Sequence, residues 1–596
     1  MVRDENAKFV PAHLRRFVVE QDYDQYNAVD QAVWRFVLLQ MYGRLVETAH
    51  PTYRDGLAAT GISVDHIPRI SEMNERLSRF GWRAVCVDGF IPPRAFQEFQ
   101  AHGILPIAAD IRTRQHLAYT PAPDIIHEAA GHAPILPDPV YARFLRRIGE
   151  LGAQAFTVPE EDRVFRAIHD LSEVKEAPGC DAATVSRAEV ELQAALASVR
   201  EASEAARLSR LYWWTAEYGL VGGVDDYKIY GAGLLSSLGE SHSCHRPSVR
   251  KLPLTAACMD VAYDITRTQP QLFVAPSFEV LHEVLDQAEL QLTRERGGPV
   301  ALQRAVNSRD VASVRFSSGA WAIGTVRAAG PSMDRPAWLE FEGPVAFAWG
   351  GKIHPAQKRL GSSARGQLLL LPTGHLAEGR ALASLTDAEL DVRGGEGAGK
   401  DNLSRGSGGD HHRFHFASGV VVEGRLDRRV RDEAGQLMHV ELSDVALSVP
   451  GRPPVALPHY ALLAAGELES ARAGAIDQSF YPETDFCHQR VPRPRLLDPR
   501  EQRLLSLYRQ AQAAGARAEA GPAGQTLGLR AVHDVLVGEY PQEWLLRWNI
   551  LESLRKSGAP SEVTRPLCQE LEHLEEVFQN REPIASGLRY LSNQPI

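Results

Sequence analysis

The sequence predicts a multidomain protein with three textures: a mainly α N-terminal half, a β-rich domain and a helical C-terminal region. Three observations carry this. The 596 residues allow about four units at roughly 150 residues per domain, or two or three large ones. Apolar residues recur at helical spacing through much of 28–295, then alternate with polar ones from 311 to about 458. Helical spacing returns after Pro494. The expected units are therefore 1–298, 299–460 and 461–596.

Taken in order, 28–47 places Val33, Phe36, Val37, Leu39 and Met41 at helical spacing, and 67–80 reads as a polar helix. A strand is expected at 83–88, with loop signals at Gly89 and Pro92-Pro93. A short apolar segment follows at 105–111. Helices are expected over 140–172 and 185–210, the second rich in Ala and Glu. An amphipathic helix over 277–295 closes the half, with Ser277 at its start and Gly297-Gly298 beyond its end. From Val311 onward, short β-branched runs between Gly, Pro and Asp turns suggest an antiparallel sandwich or barrel-like module. Within it, 394–410 is a Gly-rich flexible loop by composition. No repeat of 20–50 residues is legible.

Composition excludes several classes. Hydrophobic residues make up 44% and charged residues 23%, so the chain is not disordered, collagen-like or a coiled-coil rod. The net charge of −10 argues against a nucleic-acid partner, which needs a basic face. The six cysteines (Cys86, Cys180, Cys244, Cys258, Cys487 and Cys568) are scattered and form no CxxC pair. The N-terminus has no apolar targeting segment, and no run of about 18 apolar residues occurs. A reduced, cytoplasmic protein without a membrane span is expected.

The chemistry concentrates in 120–134, TPAPDIIHEAAGHAP. His127 and His132 are five apart, not four as in the zinc-protease pattern HExxH. On an ideal α-helix their rings would diverge by roughly 140°. The expected solution is a helix that ends at Gly131, letting His132 fold back beside His127. Pro121 and Pro123 stiffen the approach, and Asp124 is placed to cap the helix start. A third ligand is needed. Glu217, a lone carboxylate in the apolar run YWWTAEYGL, would complete a 2-His-1-carboxylate triad of the kind that holds Fe(II) with open positions. The small-residue segment 231–237, GAGLLSS, followed by Glu240, could bring a ligand close to the backbone.

These blocks resemble a known family. IPRISEMNERLSRFGWR (67–83), RTRQHLAYTPAPDIIHEAAGHAPIL (112–136), YWWTAEYGLV (212–221), IYGAGLLSSLGE (229–240) and QLFVAPSF (271–278) occur in the order of the pterin-dependent aromatic amino acid hydroxylases. The resemblance is closest to the phenylalanine 4-monooxygenase branch and covers about 23–294, a little under half of the chain. It implies a mainly α catalytic domain that binds Fe(II) and a tetrahydropterin (tetrahydrobiopterin or a relative) and uses O2 as co-substrate. It implies conversion of L-phenylalanine to L-tyrosine through an iron-oxo intermediate, with tyrosine or tryptophan as alternative substrates. Carried over by position, it implies His127, His132 and Glu217 as iron ligands. It implies Arg112 on the substrate carboxylate, assisted by Thr120 and Ser236, with Pro123, Trp213 and Gly233 lining the aromatic pocket. Tyr212 would stand beside the iron. Val87, Gly89, Phe90, Ile91 and Phe96 would form the pterin segment, and Glu128 would face the pterin through water.

The chain also departs from the family pattern. An insert within about 157–208 is expected to form surface helices over the mouth of the site. Leu105 and Pro106 stand where the family has an aromatic and a polar residue, and some 300 further residues follow unmatched. A zinc hydrolase and a non-catalytic scaffold are the competing classes, distinguished by metal content and pterin-dependent oxygen consumption. Lys400-Asp401 lacks the P-loop ending, and neither 410–415 (DHHRFH) nor Cys487-His488 forms a convincing site by spacing. The oligomeric state is left to the C-terminal half.

Overall fold

The computed structural model describes residues 9–592, apart from 90, 115, 118–122, 177–180, 265–267, 354–367, 394–410, 482–497, 517–520 and 578–581. Helix α1 (Ala28–Thr48) starts at a capping box. The Asn27 side chain accepts from the amides of Val29 and Asp30, and the Asp30 carboxylate accepts from the Asn27 amide. Trp34, Phe36, Val37, Leu38 and Met41 are buried on several of its faces. A helix apolar nearly all round belongs inside a core, and α1 has neighbours on both sides.

Strands β1 (Arg83–Val87) and β2 (Ile104–Ala108) pair in parallel, joined by α2 (Pro93–Ala101). Leu105 and Pro106 lie in β2, opposite Ala84 and Val85. The two long helices expected at 140–172 and 185–210 are each broken. Helix α3 (Pro139–Gln154) stops before Pro159, which opens a separate helix, Pro159–Glu176. Proline cannot continue an α-helix but suits its first position. Helix Ala182–Ser198 is followed by α4 (Glu204–Tyr212), capped by Ser203 through the Ala206 amide at 3.0 Å. The helix expected to reach 295 runs Phe278–Glu289. Beyond it, buried Glu204 captures both the amide and the hydroxyl of Thr293 at 2.5 Å, drawing the chain off the helical path. Strands β3 (Leu220–Gly222), β4 (Tyr227–Ile229), β5 (Arg250–Pro253) and β6 (Gln271–Ala275) form a small mixed sheet.

The β-rich segment comprises β7 (Val311–Phe316), β8 (Trp321–Gly330), β9 (Trp338–Trp349), β10 (Lys352–Ile353), β11 (Leu368–Pro372), β12 (His411–His415), β13 (Val421–Arg431), β14 (Leu437–Ser448), β15 (Val455–Leu463) and β16 (Leu468–Ala473). It does not stop at 460, as the sequence reading had it. β15 runs on to Leu463, and β16 returns to pair with β7. The strands form two antiparallel sheets, β12 to β15 in one and the rest in the other.

The two sheets are copies of one unit, about 100 residues apart. Turns Phe316–Ala320 and Phe416–Val420 share the same hydrogen bonds, and Gly319 and Gly419 have φ of 82° and 83°. The copies bulge at the same places, after Ile323 and Glu423 and after Val326 and Leu426. They also exchange edges. The Ser317 amide donates to the Glu467 carbonyl and the Ala417 amide to the His375 carbonyl, at 2.8 and 2.9 Å. The period is too long for the 20–50-residue window in which no repeat was legible.

Helices α5 (Pro499–Ala516), α6 (Gly521–Glu539), α7 (Trp544–Lys556), α8 (Ser561–Val577) and α9 (Glu582–Ser592) close the chain. Their apolar residues belong to the same core as α1. The Trp548 ring meets Phe36 edge-on at 4.8 Å, and Arg35 pairs with both carboxylate oxygens of Glu552 at 2.7 and 2.9 Å. The β-rich segment meets the N-terminal half through Arg94 of α2, which is 2.5 Å from Asp310. Among the described residues, no helix is long and apolar enough to cross a membrane. Among the described residues, Cys86, Cys244, Cys258 and Cys568 form no disulfide, while Cys180 and Cys487 lie outside the described residues.

Candidate metal centre and active site

His127 and His132 sit on a π-helical segment, Ile126–His132, and Glu217 ends a second one, Trp213–Glu217. The sequence reading ended the first helix at Gly131, and the structure corrects this. The helix does not end there but widens. Hydrogen bonding from i to i+5 brings residues five apart onto one face, so the spacing that defeats an α-helix suits this one. Gly131 serves another purpose. A Cβ there would lie 2.7 Å from the Ala232 carbonyl oxygen, so glycine lets the short helix Ala232–Ser236 approach.

The three side chains converge. Nε2 of His127 is 3.2 Å from one Glu217 oxygen, and Nε2 of His132 is 3.2 Å from the other. The imidazole rings stand at 90°, with centroids 5.1 Å apart. Ligands bonded to one ion at about 2.1 Å and near right angles would stand about 3 Å apart. His127 Nδ1 is 3.0 Å from Ser236 Oγ, which leaves Nε2 free to face the centre. Glu128 Oε2 and His132 Nδ1 are buried without a hydrogen-bond partner, and His132 Nε2 has only ionic contacts, the closer one with Glu217. Buried polar atoms are rarely left so, and a cation facing the two Nε2 atoms and Glu217 would also give Glu128 Oε2, 3.7 Å from His132 Nε2, a partner. Among the described residues, His127, Glu128 and His132 also form a group whose donor atoms all lie within 4.8 Å.

The electrostatics agree. Burial alone would lower His127, but contact with Glu217 raises it to about 9. Burial alone would raise Glu217, but the two histidines hold it well below the usual carboxylate range. Burial pushes Glu128 up to about 7, despite the nearby histidines. The ionised Glu217 carboxylate and the two imidazoles thus stabilise one another, and a cation at their meeting point would take the place of the proton that His127 holds.

Arg112 is 5% exposed. Its Nε and Nη2 each donate to Asp124 at 2.8 Å, and Nη1 donates to the Ser236 carbonyl at 3.2 Å. Asp124 also accepts from the amides of Arg112 and His127, at 2.9 and 3.0 Å. Burial would raise Asp124, but Arg112 outweighs it and holds the carboxyl below its ordinary value. Asp124 therefore caps the π-helix, as expected, and also anchors Arg112, which the sequence reading missed.

Trp213 is stacked between Tyr218 and Tyr263, with centroids at 4.6 and 4.2 Å. A Cβ on Gly233 would meet the Tyr218 ring at 2.8 Å. Pro123 is half-buried at the approach to the π-helix. Tyr212 is buried, with its hydroxyl accepting from Gln100 Nε2 at 2.7 Å. Burial raises its pKa well above the ordinary value. Phe96 lies 6.0 Å from the His132 ring and 6.1 Å from Tyr212. Val87 and Ile91 are buried in a satellite cluster with Val10, Leu14 and Val18, against which Phe96 also packs. Gly89 has φ of 62° and open space around its Cα. Phe90 and Thr120 lie outside the described residues. Gln100 and Tyr263 were not singled out from sequence, since neither carries a motif. His411, His412 and His415 lie on β12, where His412 is buried and the other two are exposed, so they do not converge.

The family described as biopterin-dependent aromatic amino acid hydroxylase matches residues 21–165 and 182–297. The match is interrupted at 166–181, within the region expected to hold an insert. Phenylalanine-4-hydroxylase of Mesorhizobium japonicum is 29% identical over 279 residues, covering 46% of this chain and 85% of that protein. The Pseudomonas aeruginosa enzyme of the same name is 28% identical over 46% of this chain and 89% of its own. A solved structure of the Chromobacterium violaceum phenylalanine hydroxylase is 27% identical and covers 49% of this chain and 93% of that one, with a TM-score of 0.37. Residues 21–165 and 182–297, a little under half of the chain, thus match the family of the biopterin-dependent aromatic amino acid hydroxylases.

Proposed function

We propose that this protein hydroxylates L-phenylalanine to L-tyrosine, with His127, His132 and Glu217 holding a non-haem iron. The single observation that carries the ligand set is the convergence of two imidazoles and one carboxylate, 3.2 Å apart, on two π-helical segments. When bound, iron and a reduced tetrahydropterin would supply activation of O2. The chain supplies the rest. Ser236 orients His127 through Nδ1, fixing which nitrogen faces the metal. Arg112, held by Asp124 and the Ser236 carbonyl, keeps one N–H each on Nη1 and Nη2 to donate to an amino acid carboxylate. The Tyr218, Trp213 and Tyr263 stack gives a rigid aromatic wall against which a phenyl ring can pack.

Glu128, pushed up to about 7 by burial, stands beside the histidine pair, where it can hold or release a proton. Phe96, between His132 and Tyr212, is placed to pack against a planar cofactor. The relatives' shared name, phenylalanine-4-hydroxylase, supports phenylalanine as the substrate. The test is an assay of iron-loaded protein with tetrahydropterin and O2 against phenylalanine, tyrosine and tryptophan, reading products by mass. Tyrosine formed from phenylalanine is the expected result. Tightly bound zinc with peptide cleavage and no pterin consumption would overturn the assignment.

A further inference from the structure

We propose that Glu543, some 430 residues beyond the substrate loop, is a positioning residue for substrate binding. It holds Arg114, and through Arg114 the segment that presents Arg112. The proposal rests on the reading of Arg112 as the carboxylate-binding residue.

Three observations carry it. First, the C-terminal helices are built into the same core as α1. Glu552 of α7 is almost fully buried under Arg35, and Trp548 is packed on Phe36. The element bearing Glu543 therefore has a fixed place against the N-terminal half. Second, Glu543 is itself buried, 7% exposed, and its two oxygens have separate tasks. Oε1 accepts from the Tyr508 hydroxyl at 2.8 Å and from the Leu546 amide at 3.4 Å, which caps α7. Oε2 pairs with Arg114. A buried carboxylate is costly without a cation, and Arg114 is the cation that meets it. Third, Arg114 stands two residues after Arg112. The stretch is pinned at one end by the Arg112 amide on Asp124 and beyond it by the fully buried Leu117. Between these points the His116 amide donates to the Thr113 carbonyl, and Arg114 ties the turn to α7. Releasing the pair leaves the turn without its tie to α7, and the guanidinium of Arg112 shifts with it. A carboxylate held by a bidentate guanidinium is sensitive to such shifts.

The test uses the full chain, with Arg114→Gln, Glu543→Gln, the double variant and Arg114→Lys. Gln at 543 keeps an oxygen for the α7 cap and Arg114 is part-exposed, and Tm and circular dichroism of each variant check that it is folded. The expected result for each Gln variant is a rise in KM for phenylalanine of about tenfold, equivalent to about 1.4 kcal/mol. At saturating phenylalanine, kcat and the KM for tetrahydropterin should stay within about twofold of the parent. The double variant should be no worse than the worse single one, and Arg114→Lys should recover most of the loss. Hydrogen exchange of peptides spanning 110–117 should quicken in Glu543→Gln. An unchanged phenylalanine KM in both Gln variants, or a loss confined to kcat, would overturn the proposal. Were the parent chain to make no tyrosine at all, the functional reading would fail. The exchange measurement would still judge the tether: unchanged protection of 110–117 in Glu543→Gln would overturn it.

Discussion

A Cβ on Gly131 would stand 2.7 Å from the Ala232 carbonyl oxygen and 3.1 Å from the Ala232 Cβ, closer than ordinary packing allows. Gly131→Ala should therefore push away the helix that carries Ser236, costing about 1–3 kcal/mol. Thermal unfolding and bound iron per chain, both lower than in the parent, would report it. Glu240 offers a second test at this scale. Burial raises its carboxyl from 4.5 to about 7, against a hydrogen bond from the Tyr218 hydroxyl. The folded value lies above the unfolded one, so the folded protein keeps a proton that the unfolded chain gives up. Stability should be highest below 4.5 and fall as pH rises through about 7, by at most about 1.4 kcal/mol per pH unit for one proton. Glu240→Gln should flatten that dependence, measured as Tm between pH 5 and 8. The grouping of His127, His132 and Glu217 was legible in the sequence because metal ligands demand particular residue types, whereas Arg112 was expected only from the family resemblance. Gln100, Tyr263 and the Arg112 partnership of Asp124 were not. Their roles depend on contacts across tens of residues, and glutamine or tyrosine in an ordinary run carries no signal of such a contact.

The elements show the same division. Capping, proline and strand alternation marked most helices and strands, but helical periodicity alone could not distinguish an α-turn from a π-turn. His127 and His132 come together only because Ile126–His132 is wider than an α-helix. A histidine pair five apart, with a small residue before the second, is a usable signal for such a turn. Helix α1 illustrates a second limit. Its apolar residues on several faces signalled burial but not what covers it, and the cover is α5, α7 and α9, hundreds of residues away. Trp548 is fully buried against Phe36. Trp548→Ala should thus destabilise the protein by about 3–5 kcal/mol, because a cavity would open where the two segments meet. Denaturant unfolding should show one shared transition for α1 and α7. Two separate transitions would mean that the C-terminal helices are an independent unit.

At the scale of the whole molecule, the additions touch the elements that carry the site. The duplicated β-segment pairs Asp310 with Arg94 of α2, the helix that also bears Phe96. The C-terminal helices share α1's core and reach the loop after Arg112. A chain cut after Gly298 would therefore lose the cover of α1, exposing Phe36 and leaving Arg35 without Glu552. Such a fragment should aggregate or unfold at temperatures where the full chain is stable, which size-exclusion chromatography would show. The three textures were legible from periodicity, yet the segments do not behave as separate beads, since core contacts ignore sequence distance. The duplication, near 100 residues, preserves turn geometry and bulges better than side-chain identity. The proposed function requires an iron centre at His127, His132 and Glu217 that couples pterin oxidation to hydroxylation. Its most direct test is to reconstitute the full chain with Fe(II) and follow tetrahydropterin oxidised and tyrosine formed in one reaction, beside His132→Ala. The account requires tyrosine formation in step with pterin oxidation, and loss of both iron and product in the variant. Full turnover by His132→Ala, or no pterin-dependent tyrosine from the iron-loaded parent, would contradict it.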